Sequence, residues 1–149
     1  MRCVVQRVTE AAVTVDGVET GRIGRGLLVL AAFAPGDTER ELAWMARKLP
    51  ALRLFNDDSG RMNLSLADTG GGILLVSQFT LYGDCRKGNR PSYTRSAAPE
   101  AARRLYDRFA ALLRQQWPEV AEGCFGARMA VSLVNDGPVT VIVEREAAA

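Results

Sequence analysis

The sequence predicts an α+β fold, a single domain built on a mainly antiparallel sheet or a barrel-like sheet, with two helices. Three observations lead there. The 149 residues suit one domain with one sizeable core. Valine-rich runs, several of them alternating with period two, fill the first third of the chain and its C-terminal end. Only two segments carry apolar residues at helical spacing. No repeat, linker or low-complexity stretch divides the chain, so the domain is expected to span residues 1–149.

The elements follow in order. "CVVQRV" and "AAVTVDGVETGRI" read as strands, with Asp16-Gly17 suited to a tight hairpin turn. "GLLVLAAF" is a continuous apolar run, the pattern of a strand buried on both faces. A helix should begin near Thr38, because Thr38 and Glu41 form a capping-box pair and Leu42, Met45, Ala46 and Leu49 share one face; Pro50 ends or kinks it. "LFNDDSGRMNLSLADTGGG" is rich in turn formers, and its Asp57-Asp58 pair lacks the spacing of a calcium loop. "ILLVSQFTL" then reads as a central strand emerging toward polar surroundings. After a polar loop, Pro99 suits the first turn of a second helix whose core stripe is Ala102, Leu105, Phe109, Leu112 and Leu113. Two further strands, "FGARMAVSLV" and "VTVIVE", flank "NDGP", and "REAAA" reads as a frayed tail.

Bulk properties exclude several function classes. A formal charge of +2 is too small to make the whole surface attractive to polyanions, so any nucleic-acid contact must be local and no DNA partner is expected. Charges inside the N-terminal "MRCVVQRVTE" argue against a signal peptide, and "LLVLAAFAP" is too short to span a bilayer, so a cytoplasmic protein without a membrane partner is expected. Cys3, Cys85 and Cys124 are odd in number and widely spaced, which indicates neither a disulfide framework nor a metal site; no cofactor is expected.

The chain contains no histidine. Ser-His-Asp and Cys-His mechanisms are therefore ruled out. "SQFTLYGD" sets Ser77, Gln78, Phe79 and Thr80 at the end of the apolar run, where the hydroxyls are either structural or functional. Thr80 has no base beside it in sequence, Gln78 can orient a substrate without shuttling protons, and exposed backbone N–H groups at a strand exit can stabilise an oxyanion. The loop with Arg86, Lys87, Arg90 and Arg95, together with Ser92 and Tyr93, is either a solvated surface or a contact for phosphate, sugar and a stacked base of single-stranded RNA. "NDGPVT" is either a plain β-turn or, with a cis Gly137-Pro138 bond, a rigid main-chain surface. Arg7, in an otherwise apolar strand, is read as surface-facing or as a brace for the Gly137-Pro138 carbonyls.

Taken in order, "SQFTL", "KGNRPS" and "NDGPVT", with "QRV", "GRIGRGLLVL" and "GRMNLSL", make the chain resemble the D-aminoacyl-tRNA deacylase family along nearly its whole length. Tyr93, where the family pattern suggests phenylalanine, and Cys85, where a small hydroxylated residue is common, depart from it without touching the motif centres. The resemblance implies hydrolysis of the ester joining a D-amino acid, or glycine, to the terminal adenosine of tRNA. It implies Ser77, Gln78, Phe79 and Thr80 as the catalytic group and Arg86, Lys87, Arg90, Ser92 and Tyr93 as RNA-binding candidates. It also implies a homodimer with the active site at the subunit interface, where Gly137-cis-Pro138 of one subunit enters the other's site and rejects L-amino acids. Two alternatives stand beside it: a non-catalytic RNA-binding module, and an esterase with Thr80 as nucleophile.

Overall fold

Strand β1 (Arg2–Val15) organises the sheet. In the computed structural model, which describes residues 1–148, one edge of β1 pairs with β3 (Gly26–Ala32) along its first half and with β2 (Val18–Ile23) along its second, both antiparallel. The other edge pairs antiparallel with the long β8 (Ala130–Glu144). Beyond β3 lie β6 (Gly72–Ser77) and β7 (Val120–Glu122), each parallel to its neighbour. The sheet then curls until β7 approaches β2: a Cβ at Gly21 would stand 2.3 Å from the Glu122 carbonyl oxygen. Only a glycine lets the two backbones come this close, and the barrel is nearly shut there.

Local chemistry accounts for the joints. Asp16 and Gly17 both take positive φ (48° and 77°), as a two-residue hairpin turn requires. Helix α1 (Glu39–Ala51) opens on a complete capping box: Thr38 N–H donates to Glu41 Oε2 at 2.8 Å and Arg40 N–H to Thr38 Oγ1. The hydroxyl and backbone of Thr38 hold the buried Glu41 carboxyl below its ordinary pKa. Pro50 sits in the last turn, one residue before the helix ends. Helix α3 (Pro99–Gln116) starts on proline and buries Ala102, Tyr106, Phe109, Ala110 and Leu113. Both long helices cover the outer face of the sheet, over Cys3, Val5, Leu27, Val29, Ile73 and Leu75. Val8, Val13, Ile23, Leu28, Leu74 and Val76 fill the barrel. Burial pushes the Cys3 thiol up to about 12 and leaves it inert.

Several expectations need correction. Among the described residues there are three α-helices, because the turn-rich segment contains α2 (Leu66–Thr69) as well as the hairpin of β4 (Phe55–Asn56) and β5 (Met62–Leu64). Ser65 and Asp68 cap α2 reciprocally, a short-range signal that so brief a helix hides in a polar sequence. The two parallel pairings were also unforeseen, although each joins strands separated by a helix, the connection parallel strands need. "FGARMAVSLV" and "VTVIVE" are one continuous strand from Ala130, preceded by a turn over residues 124–129. At the tail, Met1 N–H₃⁺ donates to the Arg145 carbonyl at 2.7 Å and Arg145 N–H to the Met1 carbonyl, so Arg145 is tied down; Ala149 lies outside the described residues.

Candidate active site

Where β6 runs out, its backbone changes hydrogen-bonding pattern within two residues. Gln78 N–H still donates to the Ala31 carbonyl at 2.8 Å, continuing the ladder with β3. The chain then tightens into a 3₁₀ turn (Phe79–Tyr82), in which Leu81 N–H donates to the Gln78 carbonyl and Gly83 N–H to the Thr80 carbonyl. The N–H groups of Phe79 and Thr80 fall between the two patterns and have no acceptor among the described residues. Such donors at a turn's start are free to bind a developing negative charge. The Gln78 side-chain amide donates to the Thr80 hydroxyl oxygen, which leaves that hydroxyl's own proton available to a ligand. Nothing in this pair can accept a proton at neutral pH, so the site supplies Thr80 with no base.

Beside the turn opens a cleft of about 600 Å³. Val76, Ser77, Gln78 and Phe79 form one wall; Phe33 and the start of α3, with Ala97, Ala98, Pro99 and Ala102, form another; Phe125, Met129 and Val131 close the third. The walls are mostly apolar, suited to a flat ring with a few edge contacts. At the mouth Phe79, 56% exposed, meets Tyr93 edge to face at 5.3 Å between ring centroids. Phe125 is itself packed between Tyr106 and the Arg103 guanidinium of α3. Of the residues singled out from sequence, Ser77, Gln78, Phe79 and Tyr93 line this cleft; Phe33, Phe125 and Met129 line it too and were not singled out. Apolar residues in a strand end and a turn look alike whether they face a core or a cleft.

Thr80, Arg86, Lys87, Arg90 and Ser92 stand outside this lining. Asp84 and Ser92 exchange both backbone hydrogen bonds, which ties the base of the basic loop together. Arg86 folds back onto Asp84, donating from Nε at 2.8 Å and from a terminal nitrogen at 2.6 Å. This fork holds the Asp84 carboxyl well below the usual carboxylate range. Two of the Arg86 guanidinium nitrogens are thereby engaged within the loop. Lys87 and Arg90 are exposed and make no ion pair among the described residues.

Gly137 and Pro138 also lie outside the cleft of their own chain. The peptide bond between them is cis, and both residues are exposed. They crown a bulge: Gln6 pairs with Thr140 and Val8 with Asn135, so Asp136 to Val139 face the single residue Arg7. Arg7 is 6% exposed, which corrects the surface-facing reading. Its guanidinium donates to the Asp136 carbonyl at 3.0 Å, the Leu54 carbonyl at 2.7 Å and Asn56 Oδ1 at 3.2 Å; it braces the bulge through Asp136 rather than through the Gly137 or Pro138 carbonyls. Asn135 Nδ2 donates to the carbonyls of Arg7 and Val139, each at 2.9 Å, and closes the bulge from the other side.

The same architecture and sequence recur elsewhere. A protein named D-aminoacyl-tRNA deacylase from Chlorobaculum parvum is 59% identical over 145 residues, covering 97% of each chain. One of the same name from Geobacter sulfurreducens is 55% identical over 144 residues, covering 97% of this chain and 95% of the relative. Among solved structures, one described as c-Myc DNA unwinding element binding protein superposes with a TM-score of 0.93 at 43% identity, over 99% of this chain and all of that one. Another, described as a probable eukaryotic D-amino acid tRNA deacylase, has a TM-score of 0.82 at 22% identity and shares the fold. With residues 4–144 matching the family described as D-Tyr-tRNA(Tyr) deacylase, the chain belongs to that family.

Proposed function

We propose that the protein hydrolyses the ester of D-aminoacyl-tRNA, and of glycyl-tRNA, releasing the free amino acid and tRNA. The observation that carries this reading is the pair of unpartnered N–H groups on Phe79 and Thr80, at the lip of an apolar cleft whose polar groups are all neutral. The curated relatives bear the corresponding name. The terminal adenine enters the cleft between its apolar walls, and Tyr93 with Phe79 borders it at the mouth. The two N–H groups receive the carbonyl oxygen as it becomes an oxyanion, while Gln78 and Thr80 position the ester. Water attacks the carbonyl carbon and passes a proton to the ribose 2′-hydroxyl, the bond to the ribose 3′-oxygen breaks, and the 2′-hydroxyl gives its own proton to that departing oxygen. Proton transfer therefore needs no protein base.

Selection against L-amino acids belongs to Gly137-Pro138. Those residues are exposed at the crest of a braced bulge and absent from their own cleft, which suits delivery into the cleft of a second subunit. A backbone wall rejects an L side chain by leaving no room for it, and glycine passes the same filter. Lys87 and Arg90, with Ser92 and the partly engaged Arg86, face the RNA that leads to the terminal nucleotide.

The deciding assay incubates the protein with matched D- and L-aminoacyl-tRNA and follows ester loss. Selective loss of the D form is expected. Binding without loss would favour the RNA-binding module, and hydrolysis of free esters regardless of the tRNA end would favour the esterase.

A further inference from the structure

The 3₁₀ turn that presents Phe79 and Thr80 is held by the sheet at its start, and its end, at the buried Tyr82, leads to the Asp84–Ser92 pair. Upstream, Gln78 N–H is held by the β3 ladder; downstream, the chain passes through Gly83 into the exposed loop. One side chain from a distant part of the sequence also grips this end of the turn. Arg2, at the beginning of β1, donates from a terminal nitrogen to the Leu81 carbonyl at 2.6 Å. Its guanidinium lies over the Tyr82 ring, 4.8 Å from the centroid. Its Nε faces Glu144 Oε1 at 2.5 Å, an ion pair rather than an aligned hydrogen bond, and Glu144 stands directly opposite Arg2 in the β1–β8 ladder. The arrangement is thus fixed from both sides: β8 sets the guanidinium through Glu144, and the guanidinium sets the turn through Leu81 and Tyr82.

We propose that Arg2 is a positioning residue for the Phe79–Thr80 N–H pair, acting through the Leu81 carbonyl and the Tyr82 ring, with Glu144 orienting it. The inference deepens the deacylase reading and rests on it for its effect on turnover. It does not rest on it for its effect on the turn. The carbonyl of Leu81 and the N–H groups of Phe79 and Thr80 belong to one short turn, so a shift at one end re-aims the other. An oxyanion site is sensitive to such shifts, because its donors act only when aimed at the charge that develops in the transition state. Lysine in place of Arg2 can supply one donor but cannot stack on Tyr82 and meet Leu81 and Glu144 together, so it should restore part of the function.

The test has two arms on the full-length protein. Amide exchange is measured at Leu81 and Gly83, whose N–H groups close the turn, in the parent, Arg2→Met, Arg2→Lys and Glu144→Gln. Exchange there should rise about tenfold in Arg2→Met and less in the other two, with α3 unchanged. Single-turnover hydrolysis of D-aminoacyl-tRNA at saturating enzyme should fall roughly tenfold in Arg2→Met, with tRNA affinity within about twofold of the parent, and partly recover in Arg2→Lys. Unchanged exchange at Leu81 and Gly83 in Arg2→Met overturns the proposal, as does a rate equal to the parent's, or a rate loss matched by an equal loss of tRNA affinity. If Arg2→Met does not fold, Glu144→Gln alone decides by the same criteria. Should the parent itself hydrolyse nothing, the deacylase reading fails and the exchange arm still decides whether Arg2 holds the turn.

Discussion

Thr80 illustrates how much a single residue's neighbours decide. Its hydroxyl oxygen accepts from the Gln78 amide, a group with no use for a proton, and no carboxylate, lysine or terminal amine bonds to it among the described residues. A nucleophile in that position would be un-ionised and unassisted. Thr80→Val keeps the side chain's shape and replaces only the hydroxyl with a methyl group. Single-turnover deacylation by that variant should fall about tenfold, the scale of a lost positioning hydrogen bond. A complete loss, or an acyl adduct on the parent's Thr80 by mass spectrometry, would instead make it the attacking group. The lack of a histidine partner for Thr80 was legible from sequence. Arg2 was illegible for the opposite reason, since its role exists only once β1, β8 and the 3₁₀ turn meet.

At the scale of elements, short-range chemistry was legible and long-range pairing was not. The capping box of α1, the proline that opens α3 and the Asp16-Gly17 turn each depend on residues within about four positions. The parallel neighbours of β6 and the continuity of β8 depend on partners more than forty residues away. Within β8 the bulge at Gly137 is the most exacting feature. Its φ of +137° is a conformation that L side chains rarely adopt, and a Cβ there would stand 2.8 Å from the Val139 nitrogen and 3.3 Å from the Arg7 guanidinium. Gly137→Ala should cost about 1–2 kcal/mol in urea denaturation. Its D-specific turnover should drop at least about a hundredfold, more than that stability loss explains, because the methyl group also stands on the selecting surface. Full D-specific activity in the variant would remove Gly137 from selection.

For the molecule as a whole, the telling feature is the edge that the sheet leaves open. Among the described residues β8 pairs with β1 and with no other strand, although it is 15 residues long. Across the ladders Ile142, Val4, Leu30 and Val76 stand in register, an apolar row that is buried at Val76 and surfaces at Ile142, which is 65% exposed. A long, partly apolar free edge is uncommon in a protein that remains a single chain, and it supports the proposed homodimer. Sequence patterning showed β8 as strand-forming but could not show which of its edges was left over. No helix among the described residues is long and apolar enough to cross a membrane.

In the proposed homodimer, the separation of the Gly137-Pro138 crest from its own cleft would make the two halves of the site genetically divisible. One defect can be placed in the cleft, for example Ala98→Trp at its exposed lip, and the other in the crest as Gly137→Ala. Each variant alone should be nearly inactive. In a two-fold dimer that has exchanged subunits, every mixed pair gathers both defects into one site and leaves the other intact. Random exchange of equal amounts would then return about a quarter of the parental activity from two inactive preparations. Mixed dimers that stay inactive would mean that each cleft works with the crest of its own chain.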